Sequence, residues 1–352
     1  MSQFIPLKVK SITAQTSQAI CISFDIPTEL QERFVFEAGQ HLTIRHMTDG
    51  QELRRCYSIC SYAPKEDISI AIKKVEDGRF STWANEHLTV GDTLEIMPPQ
   101  GVFFQKAAKI GGRSYLGVAA GSGITPILSI IKKVLFEQAD ADFTLLYGNR
   151  SWKQTMFAEQ IMELKDQFKE RFQLINIFSR EFNESELMNG RIDTDKLTAL
   201  FEQGILAANF DHVFACGPEE MMVAVETTLP TYGIAKEKIH SERFNTLQTK
   251  RHRRQDKNRQ EEKVRISLDG REFVVAVSPN DESILDAALQ AGADLPYACK
   301  GGVCATCRCR VLQGEVDMAI NYSLEADEVA KGYVLSCQAL PKTADVHVSF
   351  DE

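Results

Sequence analysis

The stretch Leu116-Gly-Val-Ala-Ala-Gly121-Ser-Gly123-Ile-Thr125-Pro126 runs straight into Ile127-Leu-Ser-Ile-Ile-Lys-Lys-Val-Leu135. An apolar run too short for a helix is followed by a glycine turn, then by helical periodicity with proline in its first turn. Glycines at a helix start let a phosphate-bearing ligand approach free N–H groups and the positive end of the helix dipole. The spacing departs from G-x-G-x-x-G, so the ordinary dinucleotide rule does not transfer directly. A plain strand-to-helix turn is the competing reading.

Working outward, FTLLYG, FQLINIFS and HVFACG repeat the short apolar run. The segments AEQIMELKDQF and PEEMMVAVETTL between or after them have helical patterning. Strands alternating with helices predict a parallel sheet with helical crossovers over 109–249. In HVFACGPEEMM, Cys216-Gly217 precedes another helix, and a thiol beside a glycine leaves room for a flat ring. Residues 1–108 differ: LKVKSITAQ, AICISFDI, HLTIRHM, ISIAIKKVE and DTLEIMPP alternate, punctuated by Asp49-Gly50, Asp77-Gly78 and Gly91-Asp92. This predicts an antiparallel β-barrel or sandwich. Within it, Arg55-Cys-Tyr57-Ser58 combines a pyrophosphate-binding cation, a stacking ring and a hydroxyl donor. Gly78-Arg-Phe80-Ser81-Thr82, just ahead of the helix-like TWANEHL, reads as a phosphate turn.

Cys299, Cys304, Cys307 and the distant Cys337 follow C-x4-C-x2-C…C, the plant-type [2Fe–2S] spacing. Two irons bridged by sulfides need two protein thiolates each. Gly301 and Gly302 are expected to provide left-handed backbone and to aim N–H groups at sulfur. Zinc is the rival, although its structural sites come as paired knuckles and here the fourth cysteine stands alone. Alternation puts Cys309 on the face of Cys307 as a packing residue. VRISLDG and REFVVAV read as a hairpin, and Ser283 to Ala291 as a helix with Ile284, Leu285, Ala288 and Leu289 inward.

Lys250 to Lys263 carries seven Lys/Arg, three Asp/Glu and no apolar residue, and reads as a solvated basic linker. Net charge is −6 before it, +4 within it and −7 after it, in a chain of 352 residues and net charge −9. Such acidity disfavours a nucleic-acid partner. At 43% hydrophobic and 25% charged residues, the composition is that of globular domains, two or three by length. No run approaches the ~20 apolar residues of a membrane span, and MSQFIPLKVKSITAQ reads as a first strand, not a signal peptide. Nine cysteines, five of them between Cys299 and Cys337, suit an intracellular, cytoplasmic metal-binding chain better than a disulfide-stapled secreted one.

Taken in order, Gly39-Gln40, R-x-Y-S, the GRFST turn, G-S-G-I-T-P and C-G-P resemble the ferredoxin–NADP reductase superfamily. With the C-terminal cysteine pattern, the whole chain is similar to single-chain oxygenase reductases. RRCYSIC, LLYGNRS, HSERFNT, DLPYACKGGVCATC and GYVLSCQALP are most like the reductase subunits of ring-1,2-phenylacetyl-CoA epoxidases. The resemblance implies an oxidoreductase with an FAD β-barrel (1–108), an NAD(P) α/β domain (109–249), a linker (250–263) and a β-grasp ferredoxin domain (264–352). It implies FAD contacts at Arg55, Tyr57, Ser58, Gly78, Phe80, Ser81, Thr82 and Phe244, and nucleotide contacts at Gly121, Gly123, Thr125, Pro126 and Gly217. Ser58, Cys216 and Glu242 become the catalytic residues, and Cys299, Cys304, Cys307 and Cys337 the iron ligands.

For the coenzyme, Arg150 follows the second strand and Ser179-Arg180 the third. No acid directly follows the second, although Glu181 follows Arg180. Cations and hydroxyls suit a 2′-phosphate, so NADPH is expected. The implied path is NADPH to FAD to [2Fe–2S] to the oxygenase component of a di-iron monooxygenase. Alternatives are the same architecture serving a steroid hydroxylase or an acyl desaturase, and a non-enzymatic iron–sulfur or zinc redox sensor.

Overall fold

The computed structural model describes residues 4–48, 50–63, 65–104, 107, 111–244, 261–278, 281 and 283–351. The chain divides into two compact units, Phe4–Phe244 and the C-terminal part.

The first unit begins with β1 (Ile5–Thr16), β2 (Ala19–Asp25), β3 (His41–Thr48), β4 (Gln51–Ser58) and β5 (Ser69–Lys73), then α1 (Arg79–His87) and β6 (Thr93–Gln100). The strands form one antiparallel sheet in the order β4-β3-β6-β1-β2-β5. Its ends meet: Ile59 bridges Ile70, and the Cys60 N–H donates to the Ser69 carbonyl at 2.9 Å. Alternation sends Leu7, Val9, Ile22, Phe24, Leu42, Ile44, Ile70 and Ile96 into the rolled interior. The helix α1 starts at Arg79, earlier than the TWANEHL patterning suggests, with Gly78 as its cap. Phe80 and Ser81 therefore lie in its first turn and are buried.

Next come β7 (Ser114–Ala120), α2 (Ile124–Glu137), β8 (Asp142–Asn149), α3 (Ala158–Gln167), β9 (Phe172–Phe178), α4 (Thr194–Glu202), β10 (His212–Cys216), α5 (Glu219–Thr228) and β11 (Ile239–Glu242). All five strands are parallel, in the order β11-β10-β7-β8-β9. Ile127, Ile131, Ile161 and Leu164 of α2 and α3 pack on one face. Leu197, Leu200, Met222 and Val225 of α4 and α5 cover the other. Strand order reverses between β7 and β10, and ligands of open α/β sheets bind beyond the carboxyl ends of strands at that point. The barrel shares the core of the first face through Ala19, Ala38, Cys60, Ala71 and Phe104. Ser129 donates to the Ser61 carbonyl at 2.7 Å, and buried Lys132 pairs with Glu66 at 2.7 Å. The boundary read at 108/109 touches residues outside the described ones.

The second unit holds β12 (Glu262–Leu268), β13 (Arg271–Val277), α6 (Ile284–Gln290), β14 (Arg308–Gln313), β15 (Val316–Met318), α7 (Ala326–Ala330), β16 (Tyr333–Leu335), β17 (Ala339–Pro341) and β18 (Val346–Ser349). Five strands make a mixed sheet, β13-β12-β18-β14-β16, with β12 and β18 parallel. The helix α6, capped by the Ser283 hydroxyl accepting from the Asp286 N–H at 3.0 Å, buries Ile284, Leu285, Ala287 and Ala288. Ala287 is in the core, whereas Leu289, expected inward, is only partly buried. This is the β-grasp arrangement of a helix across a mixed sheet. Of the expected linker, 250–260 lie outside the described residues. Glu262 and Lys263 belong instead to β12, opposite Val277 and Ala276. Lys263 alternates with buried Val264 and Ile266 as an outward position, whereas Glu262 begins their inward face at the strand's end and is only half-buried. Among the described residues no helix is long and apolar enough to cross a membrane.

Candidate functional site

In the first unit the chemistry gathers where the barrel meets the carboxyl edge of the parallel sheet. Alternation along β4 leaves Arg55 exposed and Tyr57 half-buried, and turns Ser58 inward. The Arg55 guanidinium donates to the Arg54 carbonyl at 2.8 Å, while Arg54 is itself buried on Glu52. Burial pushes the Tyr57 phenol up, and its ring centroid lies 5.8 Å from that of Phe80. The Ser58 hydroxyl donates to Glu242 Oε1 at 2.9 Å. Glu242, at the end of β11, is the register partner of Cys216 at the end of β10. The expected trio of Ser58, Cys216 and Glu242 therefore meets in one place, brought from three strands. Burial raises the Glu242 carboxyl to about 7, against the opposing effects of His41 and the Ser58 hydrogen bond. Burial, reinforced by Glu242, pushes the Cys216 thiol well up, which keeps it neutral. Phe244, two residues past Glu242, is exposed.

At the α1 end, Ser81 Oγ accepts from the Val75 N–H and donates to the Gly78 carbonyl, both at 3.2 Å. A Cβ on Gly78 would stand 2.3 Å from that oxygen. Ser81 is thus committed to holding the turn and Phe80 to the barrel core, and both offer a ligand their helix-start N–H groups. Thr82 is half-buried.

The turn after β7 rests on the turn after β10. A Cβ on Gly123 would lie 1.9 Å from the Cys216 carbonyl oxygen. Gly121 is left-handed (φ 54°), and its carbonyl accepts from the Tyr147 hydroxyl at 3.0 Å. Thr125 and Pro126 are buried, with the Thr125 hydroxyl donating to the Ser122 carbonyl at 3.0 Å. Gly217 closes against Met221, whose Cε would be 2.5 Å from an added Cβ. Ser179 and Arg180 join the end of β8 through Ser179 N–H to Asn149 O (3.0 Å) and Arg180 N–H to Arg150 O (2.8 Å). The Arg150, Ser179 and Arg180 side chains are exposed there, while Glu181 accepts from the Trp152 N–H at 2.7 Å.

Two residues escaped the sequence reading. Lys73, at the end of β5, has its ammonium 3.2 Å from where a Gly121 Cβ would be. Burial and then Arg150 lower its pKa. His41, buried on β3, is the register partner of Ser58. Neither carries a motif, since each is placed by a strand neighbour distant in sequence.

In the second unit, Cys299, Cys304, Cys307 and Cys337 form two thiol pairs, Cys299 with Cys304 and Cys307 with Cys337. Backbone N–H groups of Gly301 and Val303 point at Cys299 sulfur, the first at 3.3 Å, and that of Gly302 at Cys337. Of the two loop glycines, Gly302 is left-handed (φ 77°). Lys300 (φ 51°) and Ala305 (φ 53°) take that region despite their Cβ atoms, so the loop stores backbone strain that its packing imposes. Cys309 packs in the core, its thiol pushed up to about 12 by burial.

Three family models match in this order: an oxidoreductase FAD-binding domain (residues 6–104), an oxidoreductase NAD-binding domain (118–227) and a 2Fe-2S iron-sulfur cluster binding domain (266–342). The chain is 51% identical to a subunit of the 1,2-phenylacetyl-CoA epoxidase of Escherichia coli K12, across all of this chain and 99% of that protein. The chain belongs to this family of oxygenase reductases. The reductase is also 31% identical to the ferredoxin reductase component of a 3-ketosteroid-9-alpha-monooxygenase from Rhodococcus rhodochrous, over 99% of this chain and 97% of that one. Among solved structures it shares the fold of phthalate dioxygenase reductase, with a TM-score of 0.60, 23% identity, and 99% and 98% of the two chains covered.

The reductase is an oxidoreductase carrying FAD-binding, NAD-binding and [2Fe–2S] domains, and its family supplies electrons to oxygenases. The redox-sensor reading leaves the first two domains without a role and is set aside. The residues fit the implied groups. Two neighbouring thiol pairs suit two irons. Ser336, next to Cys337, has a buried hydroxyl with no partner among the described residues, a donor that cluster sulfur can satisfy. Gly78 and Gly123 keep side chains out of both helix starts, where phosphates bind.

Proposed function

We propose that this chain is the cytoplasmic, NADPH-dependent reductase component of a multicomponent di-iron monooxygenase acting on phenylacetyl-CoA. The full-length likeness to the phenylacetyl-CoA epoxidase protein carries this reading. Residues 1–108 are assigned to FAD, 109–249 to the nucleotide, 250–263 (less its two strand residues) to a tether, and 264–352 to the cluster.

When bound, FAD would supply the exchange between a two-electron hydride and single electrons, and the cluster a one-electron carrier. The protein's part is to bind, orient and move one proton. Arg55, Tyr57, Thr82, Phe244 and the N–H groups at Phe80 and Ser81 hold the flavin nucleotide, with Gly78 keeping the approach open. Gly121, Gly123, Thr125, Pro126 and Gly217 shape the nicotinamide coenzyme's cradle, and Arg150, Ser179 and Arg180 receive its 2′-phosphate. Ser58 relays a proton: its hydroxyl gives one to Glu242 Oε1 as its oxygen takes one from the flavin side, and Glu242 accepts it in the carboxylate form that prevails above about pH 7. Cys216 stays a neutral, soft wall beside the ring. Cys299 and Cys304 would hold one iron, Cys307 and Cys337 the other.

The test is anaerobic mixing of the purified chain with NADPH or NADH, followed by turnover assays in air with candidate oxygenases. Bleaching of flavin and cluster, faster with NADPH, and turnover with a phenylacetyl-CoA oxygenase are expected. Faster bleaching with NADH overturns the coenzyme, and turnover only with a ketosteroid hydroxylase moves the partner to the second reading, which the 31% relative favours.

A further inference from the structure

Gln338 follows the fourth cysteine and is buried to 4% exposure, where a long carboxamide must find partners for both N–H groups. It finds them in two different parts of the thiol site. Its Nε2 donates to the Lys300 carbonyl at 2.9 Å and to Cys337 sulfur at 3.6 Å. Its Cγ lies 3.3 Å from the position a Gly302 Cβ would take. The backbone around it is fixed as well: Gln338 N–H donates to the Leu335 carbonyl at 2.8 Å, and the Ala319 N–H to the Gln338 carbonyl at 3.0 Å.

The consequence is mechanical and electronic. Cys337 is thirty residues from Cys307, so no short loop sets its sulfur against the other three. The link to Lys300 runs to the left-handed residue directly after Cys299, the strained start of the ligand loop. A donor on a ligand sulfur draws electron density from it, which favours the reduced cluster and raises its potential.

We propose that Gln338 is a positioning residue for the cluster, clamping the fourth thiolate to the loop that carries the first three and setting the cluster potential through its N–H on Cys337. This rests on the [2Fe–2S] assignment, which the EPR signal of the unmodified reduced chain tests separately.

The experiment is an EPR-monitored redox titration of the full chain and of Gln338→Met, which keeps the volume and removes both donors, and Gln338→Glu, which keeps the length and turns an oxygen on sulfur. Flavin content checks folding. The midpoint potential should fall in Q338M and fall further in Q338E, with faster cluster loss in both. A potential unchanged in cluster-loaded Q338M overturns the proposal. If Q338M loads flavin but keeps no cluster, the comparison passes to Gln338→His, whose ring N–H restores a donor. A potential in Q338H no higher than in Q338E then overturns it.

Discussion

The iron–sulfur loop takes three of its four thiols from nine consecutive residues, whereas the flavin–nicotinamide site joins Ser58 to Glu242 across 184 positions and seats Gly123 on Cys216. Local closure asks little of the chain beyond a strained turn and one distant ligand. The distant site exists only once two sheets share a core, so its geometry is as good as the packing of Cys60, Ala71 and Phe104 against α2. A redox centre held by its own loop is sensitive to the ligands themselves. One assembled from far apart is sensitive to whatever keeps two turns in register.

The sharpest way to separate the two is Cys304→Ser. It should abolish the cluster signal and electron delivery to an oxygenase while leaving reduction of a small-molecule acceptor by NADPH intact, measured side by side with iron content. Gly123→Ala should do the reverse. Its Cβ cannot coexist with the Cys216 carbonyl, so about 3 kcal/mol of overpacking is expected, read as a lowered melting temperature with slowed flavin reduction and full iron content. A melt unchanged in G123A would show that the two turns are not in fixed contact.

Glu242→Gln tests the assembled site without disturbing its packing. Electron delivery to an acceptor should rise with pH through an inflection near 7, because the carboxylate is the accepting form. E242Q should lose that inflection and about 100-fold in rate, with coenzyme KM little changed. Arg180→Ala is the smallest step. Losing one exposed charge-assisted contact should raise the KM for NADPH by about tenfold and leave that for NADH unchanged.

Much of this molecule was legible because its signals are short-range. Alternating and continuous apolar runs separated the barrel from the parallel sheet, and cysteine spacing singled out the four thiols that the fold brings together in two pairs. Where the reading slipped, a nearby contact outweighed the motif. Phe80 and Ser81 look like side-chain contacts in GRFST, yet the Phe80 ring fills the barrel core and the Ser81 hydroxyl braces Val75 and Gly78, which leaves the ligand role to their N–H groups. Gly301 looks like a left-handed residue, yet Lys300 and Ala305 take that conformation. Lys73 and His41 were invisible, since nothing in their own neighbourhoods marks them.

The sequence by itself determined the order of the domains, the type of each sheet and the identity of the four thiols. These depend on periodicity and spacing within a few tens of residues, where backbone geometry leaves few alternatives. Only the tertiary structure decided that Glu242 would face Ser58, that Gly123 would lie on Cys216 and that Gln338 would bridge Lys300 and Cys337. Those contacts come from strands and loops brought together by burial of a shared core, and burial also lifts the Glu242 carboxyl to about 7.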